Sequence, residues 1–160
     1  MNVKGTAVGS IPDFVKHHFP NRYGEWIVAL SDESAHYFRG EIVTGAWYPI
    51  RETLIEPIKV ISKLFFEGDD EKTARTMGSF SAELALSGVY RFVVKLGTPK
   101  FLIERAGSLM RTYFDPCSFT LIQESPKRLI FIITDFPESD EVIEWNIAGW
   151  IERALAISGS

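Results

Sequence analysis

Apolar residues recur at helical spacing along most of this chain. Ile11, Phe14 and Val15, with His18, step by three and four after Ser10, Pro12 and Asp13, which read as an N-cap, an early proline and an acidic first turn. Asn21 and Ser31 look like caps for two short helices ending near Gly40. Residues 41–48 read as extended and lead into Trp47-Tyr48-Pro49. Pro49 suits the first turn of a helix to about Phe66, in which Ile50, Leu54, Ile58, Ile61 and Phe65 share one side and Pro57 imposes a kink. Gly68 stops it, and Asp69 caps a helix predicted to reach Leu96 with a break at Gly88. Along that helix Glu83, Ser87, Arg91 and Lys95 step by four, one narrow polar stripe on an otherwise apolar or small surface. It is expected at the centre of the fold, with Gly78, Ser81, Ala82, Ala85 and Gly88 letting another backbone approach.

Gly97-Thr98-Pro99 combines a stop, a cap and a first-turn proline, and opens a helix to about Phe114 with Leu102, Ala106, Leu109, Met110 and Tyr113 inward. After Asp115-Pro116, segments 117–124 and 128–135 predict a β-hairpin around Ser125-Pro126-Lys127. Residues 129–133 are apolar on both faces, so both are expected to be covered and the strand to need a further partner. The candidates are residues 2–8, residues 41–44, a second subunit, or residues outside this chain. Ser139 is the expected cap of a last helix with Asp140 and Glu141 in its first turn, and Ile143, Ile147, Trp150, Ala154 and Ile157 facing inward. Trp145 lies nearly opposite, flanked by Val142 and Gly149. These three are interface candidates, with a second contact inside the same domain as the alternative. No repeat or linker interrupts the pattern. It reads as one α/β (α+β) domain over residues 1–160, mostly helical, with helices packed on a small antiparallel sheet.

Composition narrows the function. The 160 residues carry 17 Lys plus Arg against 21 Asp plus Glu, a net charge of −4, which argues against nucleic-acid binding. The single cysteine, Cys117, forms neither an internal disulfide nor a zinc motif, and a reducing, cytoplasmic location is expected. No apolar run is long enough for a membrane span, and residues 1–6 lack the pattern of a signal peptide. No G-x-S-x-G, G-x-G-x-x-G, phosphate-binding or H-E-x-x-H motif occurs, so neither catalytic set, metal nor cofactor is expected. His17 and His18 diverge by about 100° on a helix, and His36 stands alone. Asp69-Asp70-Glu71 is explained by helix capping, and Glu141 with Glu144 by an exposed face. Bases between Arg91 and Arg111 and acids between Asp135 and Glu144 form a solvated surface or pack together, or else make complementary patches in a self-assembling protein. Met77, Phe80, Tyr90, Met110 and Tyr113 are candidates to line an apolar ligand pocket between the central helix and the hairpin, with ordinary core as the alternative. Tyr48, Arg91 and Glu83 are what a dispersed active site would use.

Six segments in order carry a resemblance across nearly the whole chain: Val3-Lys4-Gly5-Thr6, Gly45-Ala46-Trp47-Tyr48-Pro49, Gly78-Ser79-Phe80-Ser81-Ala82-Glu83, Gly97-Thr98-Pro99, Tyr113-Phe114-Asp115 and Gly149-Trp150-Ile151-Glu152-Arg153-Ala154-Leu155. The chain resembles a bacterial family of unassigned function, most numerous in myxobacteria. That family is distantly similar to the four-vinyl-reductase-like domain, the haem-nitric-oxide-binding domain and subunits of the TRAPP tethering complex. The resemblance implies helices on a small antiparallel sheet, a homodimer, and space between helices and sheet for a small apolar ligand. Haem-binding relatives use a histidine on the helix before the strands, and residues 99–114 contain none. The cysteine and histidine residues of vinyl-reductase-like relatives, and the acylated helix cysteine of the TRAPP subunits, also lack counterparts. Relatives end with a further strand pair where this chain stops at Ser160, so a short member or a truncated chain is expected. The function expected is a non-enzymatic module acting as sensor or scaffold through dimerisation and an apolar ligand. The alternatives are a subunit of a larger hetero-complex and an enzyme with a dispersed site.

Overall fold

The computed structural model describes residues 1–87, 108, 110–125 and 128–158. Helices pack against a small antiparallel sheet, the α+β arrangement expected. The core runs from Val3, Val8, Ile11, Phe14 and Val15 through Trp26, Ile50, Ile58 and Ile61 to Val142 and Ile143. No helix among the described residues is long and apolar enough to cross a membrane.

The chain opens with strand β1 (Asn2–Lys4), which enters helix α1 (Gly5–His18) directly. Ser10 is therefore not the N-cap; its hydroxyl donates to the Ala7 carbonyl inside the helix, and Pro12 is buried within it. The start is set by tertiary contact. Gly5 N–H donates to the Ala46 carbonyl and Thr6 N–H to that of Thr44, so the 41–46 loop takes the place of a capping side chain. Helix α2 (Tyr23–Ala29) and helix α3 (Asp32–Arg39) follow, and Ser31 caps α3 by accepting from Ser34 N–H at 3.2 Å.

Pro49 falls in strand β2 (Trp47–Pro49) rather than in a helical first turn. A π-helical turn (Arg51–Ile55) then leads into α4 (Glu56–Phe65), and Glu56 N–H donates five residues back to the Arg51 carbonyl. The widened turn answers Pro57, whose ring has no N–H and would collide with the carbonyl four residues earlier in an α-helix. Gly68, at φ +82°, ends the segment, and the Asp69 carboxylate caps α5 (Asp70–Leu86) through Lys72 N–H at 2.9 Å. The described part of α5 stops at Leu86, with Ser87 extended, and residues 88–96 lie outside the described residues. The helix is also wetter than expected, because Leu84 joins Glu83 on an exposed side.

After a helical turn at 110–113, strand β3 (Phe114–Asp115) returns to the amino terminus. β1 lies between β2 and β3, antiparallel to both, with Val3 opposite Tyr48 on one side and Phe114 on the other. Strands β4 (Ser118–Ser125) and β5 (Arg128–Thr134) form a separate hairpin with Thr120 opposite Ile132 and Ile122 opposite Ile130. The expected covering of both faces is not found among the described residues: Ile122 is 45% and Ile132 39% exposed.

The last helix, α6 (Glu141–Ser158), is capped by Asp140 rather than Ser139. The Asp140 carboxylate accepts from Val142 N–H at 3.0 Å and from the Lys59 ammonium at 2.6 Å. Nearby, Glu138 takes the Met1 ammonium at 2.6 Å and lies 3.7 Å from Arg51. These acids are thus paired within the subunit; Arg91, Lys95, Lys100 and Arg105 lie outside the described residues.

Helix α6 packs on α5 more closely than side chains of ordinary size permit. A Cβ added at Gly78 would overlap the Asn146 carbonyl oxygen, and one at Gly149 the backbone of Arg75. The Asn146 amide donates to the Ala74 carbonyl at 3.1 Å, while Arg75–Glu152 and Arg153–Glu83 pair at 2.8 and 2.7 Å. Gly78→Ala or Gly149→Ala is expected to cost about 1–3 kcal/mol by forcing the two backbones apart. Gly24→Ala, where the added carbon meets nothing within 4 Å, should leave the thermal midpoint unchanged or raise it.

Burial alone would push the Asp140 carboxyl up, but the Lys59 ammonium, the Val142 N–H and the Arg51 charge together hold it below its ordinary range. The stabilisation is complete above the ordinary carboxylate range and is lost as pH falls through that range and below it. Thermal midpoints followed from neutral pH to about pH 3 should fall less steeply for Asp140→Asn than for the wild type.

Candidate functional site

Four segments enclose an apolar cleft. Ala7 comes from the first turn of α1, Ser81 from α5, Met110 and Tyr113 from the turn leading into β3, Phe114 from β3 itself, and Asn146, Ile147, Trp150 and Ile151 from α6. Each is placed by a feature already described. The 41–46 loop fixes where α1 begins, Gly78 and Gly149 hold α6 against α5, and the pairing of Phe114 with Val3 anchors the turn. Met110, Phe114 and Ile147 are buried, while Ala7, Ser81, Tyr113, Trp150 and Ile151 are half-buried and form the approach. The space is about 60 Å³, room for a small apolar group. Polar residues stand in the lining at Ser81, Tyr113, Asn146 and Trp150, and the Asn146 amide is held by its bond to Ala74.

Of the five residues expected to line a pocket, Met110 and Tyr113 do so. Met77 is 4% exposed and belongs to the core. Phe80 turns instead to an aromatic group, its ring centroid 5.4 Å from Phe14 and His18 and 5.6 Å from His17. Tyr90 lies outside the described residues. The expected interface residues do not face outward. Val142 is 1% exposed, Gly149 is buried against α5, and Trp145 is half-buried against the core. The rotation of α6 explains this, because the Gly149 contact with Arg75 needs that face turned in.

Sequence reasoning missed Ala7, Phe114, Asn146 and Ile151 as a group. Asn146 carried a usable signal, a polar residue beside the inward positions Ile143, Ile147 and Trp150. Ala7 and Phe114 carried none, because their place depends on strand pairing across the length of the chain.

A second concavity of about 410 Å³ is an open groove between α3 and the β2–π-turn junction, lined by Glu33, His36, Tyr37, Pro49 and Glu52. His36 shares a face with Glu33 at a spacing of three. Among the described residues, no hydrogen bond or ion pair joins it to either carboxylate, and no group of three His, Cys, Asp or Glu residues could hold a metal ion. Tyr48 and Glu83 from the dispersed set line neither concavity. The Tyr48 hydroxyl accepts from Val43 N–H at 2.9 Å, Glu83 pairs with Arg153, and Arg91 lies outside the described residues.

Scans against protein-family models, curated proteins and solved structures find no match for this chain.

Cys117 sits at 9% exposure where the turn enters the hairpin. Burial pushes its thiol up, Arg111 opposes that weakly, and Asp135 adds to it. A chromogenic disulfide reagent at mildly alkaline pH should therefore modify the folded protein at least about tenfold more slowly than the denatured chain.

Proposed function

We propose that this chain is a non-enzymatic cytoplasmic module that acts as a sensor or scaffold, self-associating and holding a small apolar ligand. The observation that carries the ligand is the cleft between α1, α5, α6 and the turn before β3. It has mostly apolar walls with a few polar residues among them, the usual composition of a small-molecule site. A ligand that fits is small and apolar, with a hydrogen-bonding end that the polar lining residues can meet. The resemblance to the myxobacteria-rich family, with its distant haem-nitric-oxide-binding and TRAPP relatives, points the same way, since it implies a dimer with a ligand between helices and sheet. The exposed Ile122 and Ile132 favour self-association and also suit a subunit of a hetero-complex, in which they would meet a different protein.

Native mass spectrometry of freshly purified protein, beside its denatured mass, tests the ligand. The wild type is expected to carry non-covalent mass that vanishes on denaturation. Ser81→Leu, which fills the cleft with an apolar side chain, should reduce that occupancy about tenfold or more while leaving the helical circular dichroism intact. Wild-type protein without added mass, or Ser81→Leu protein with the same added mass, would remove the cleft as the site.

A further inference from the structure

The β4–β5 hairpin has an edge that nothing in the described chain uses. β5 pairs with β4 along its length, and among the described residues no strand lies on its other side. Of the described segments, the two that the sequence offered for that place are engaged elsewhere. Residues 2–4 lie between β2 and β3 with both edges occupied, and Thr44 accepts from Thr6 in the loop that starts α1. An open edge carries unpaired backbone N–H and C=O groups, a template for another strand. This one is the most apolar stretch of the sequence: positions 129–133 are Leu-Ile-Phe-Ile-Ile. Ile132, together with its diagonal neighbour Ile122 on β4, is left exposed at 39% and 45%.

Charge decides what fits there. β5 starts at exposed Arg128 and runs into exposed Asp135, with no charged residue between them. Asp135 adopts φ +55°, just past the end of the strand at Thr134. A second β5 laid parallel would set Arg128 on Arg128 and Asp135 on Asp135. Laid antiparallel about a two-fold axis, it sets each Arg128 beside the other copy's Asp135, twice over. The sequence suits that operation. With the axis at Phe131, Ile130 faces the copy's Ile132, position 129 faces 133, and Arg128 faces Thr134 next to Asp135. Facing residues then share one side of the sheet, as antiparallel pairing demands.

We infer that β5 is the seam of a homodimer, in which two copies of this chain pair antiparallel about Phe131 into one four-stranded sheet ordered β4-β5-β5-β4. Ile122, Ile130 and Ile132 with their copies then form a continuous branched strip across the seam. Arg128, already 2.8 Å from Glu124 of its own hairpin, lies between that carboxylate and the second copy's Asp135. The inference rests on the self-association part of the proposed function and is independent of the ligand.

Two variants test it, read by sedimentation velocity at micromolar concentration. The wild type is expected to sediment as a dimer. Ile132→Lys, which puts a charge in the middle of an apolar seam, should weaken the dimer about tenfold or more with unchanged helical circular dichroism. The second variant carries Arg128→Cys and Thr134→Cys together. Within one chain these positions are about 20 Å apart along the strand, too far for a disulfide, whereas in the inferred register they are directly opposed. With Cys117, the neighbour of the Ser118 that pairs with Thr134, also replaced by serine, oxidation should therefore give a covalent dimer on non-reducing gels. A monomeric wild type would overturn both self-association and the seam. A wild-type dimer that yields no cross-link and tolerates Ile132→Lys would keep self-association and overturn the seam. Should Ile132→Lys fail to fold, the presence or absence of the cross-link decides alone.

Discussion

The close approach of α5 and α6 is the contact on which the rest of the molecule depends. Gly78 lies against the backbone at Asn146 and Gly149 against that of Arg75, so the helices meet main chain to main chain. At such a distance the contact is narrow and its rotation is prescribed. Asn146 reaches the Ala74 carbonyl, and the ion pairs at Arg75–Glu152 and Arg153–Glu83 lie at the margins. These exposed pairs add little energy of their own and serve mainly to set register. Once α6 is held this way, Val142 and Ile143 enter the core and Trp150 with Ile151 form a wall of the cleft.

The amino-terminal strand supplies the second constraint. β1 joins β2 (Trp47–Pro49) to β3 (Phe114–Asp115), segments more than sixty positions apart in sequence, and the 41–46 loop accepts the first N–H groups of the helix that β1 feeds. The cleft arises where these two constraints meet: α1 and the turn before β3 close one side of it, α5 and α6 the other. It is therefore a product of packing between elements far apart in sequence. The polar groove at Glu33, His36 and Glu52 lies on different elements.

Much of the secondary structure was legible in the chain. The caps at Ser31 and Asp69, the stop at Gly68, the irregularity ahead of Pro57 and the hairpin around 125–128 all stand where local signals put them. Each depends on residues a few positions apart. The errors share a cause as well. Ser10 and Ser139 have the chemistry of caps, but the actual starts lie at Gly5 and Asp140, where a distant loop and the Lys59 ammonium supply the partners. For Trp145 periodicity leaves open an interface or a second contact inside the domain, and the structure packs it against the core. The face carrying Val142 and Gly149 is selected by the small volume at position 149.

What this sequence determined by itself is its helical content, the sites of most turns, an apolar hairpin strand, and the glycines that permit close helix packing. Those follow from backbone sterics, capping chemistry and periodicity, which act within a turn or two of chain. Tertiary structure alone decided that residues 2–4 form the middle strand of a sheet, which face of α6 is buried, and that Ala7, Met110, Tyr113 and Trp150 surround one cleft. The physical reason is that such contacts are chosen by shape and hydrogen-bond complementarity between segments far apart in sequence, and no local pattern records which partner will be there.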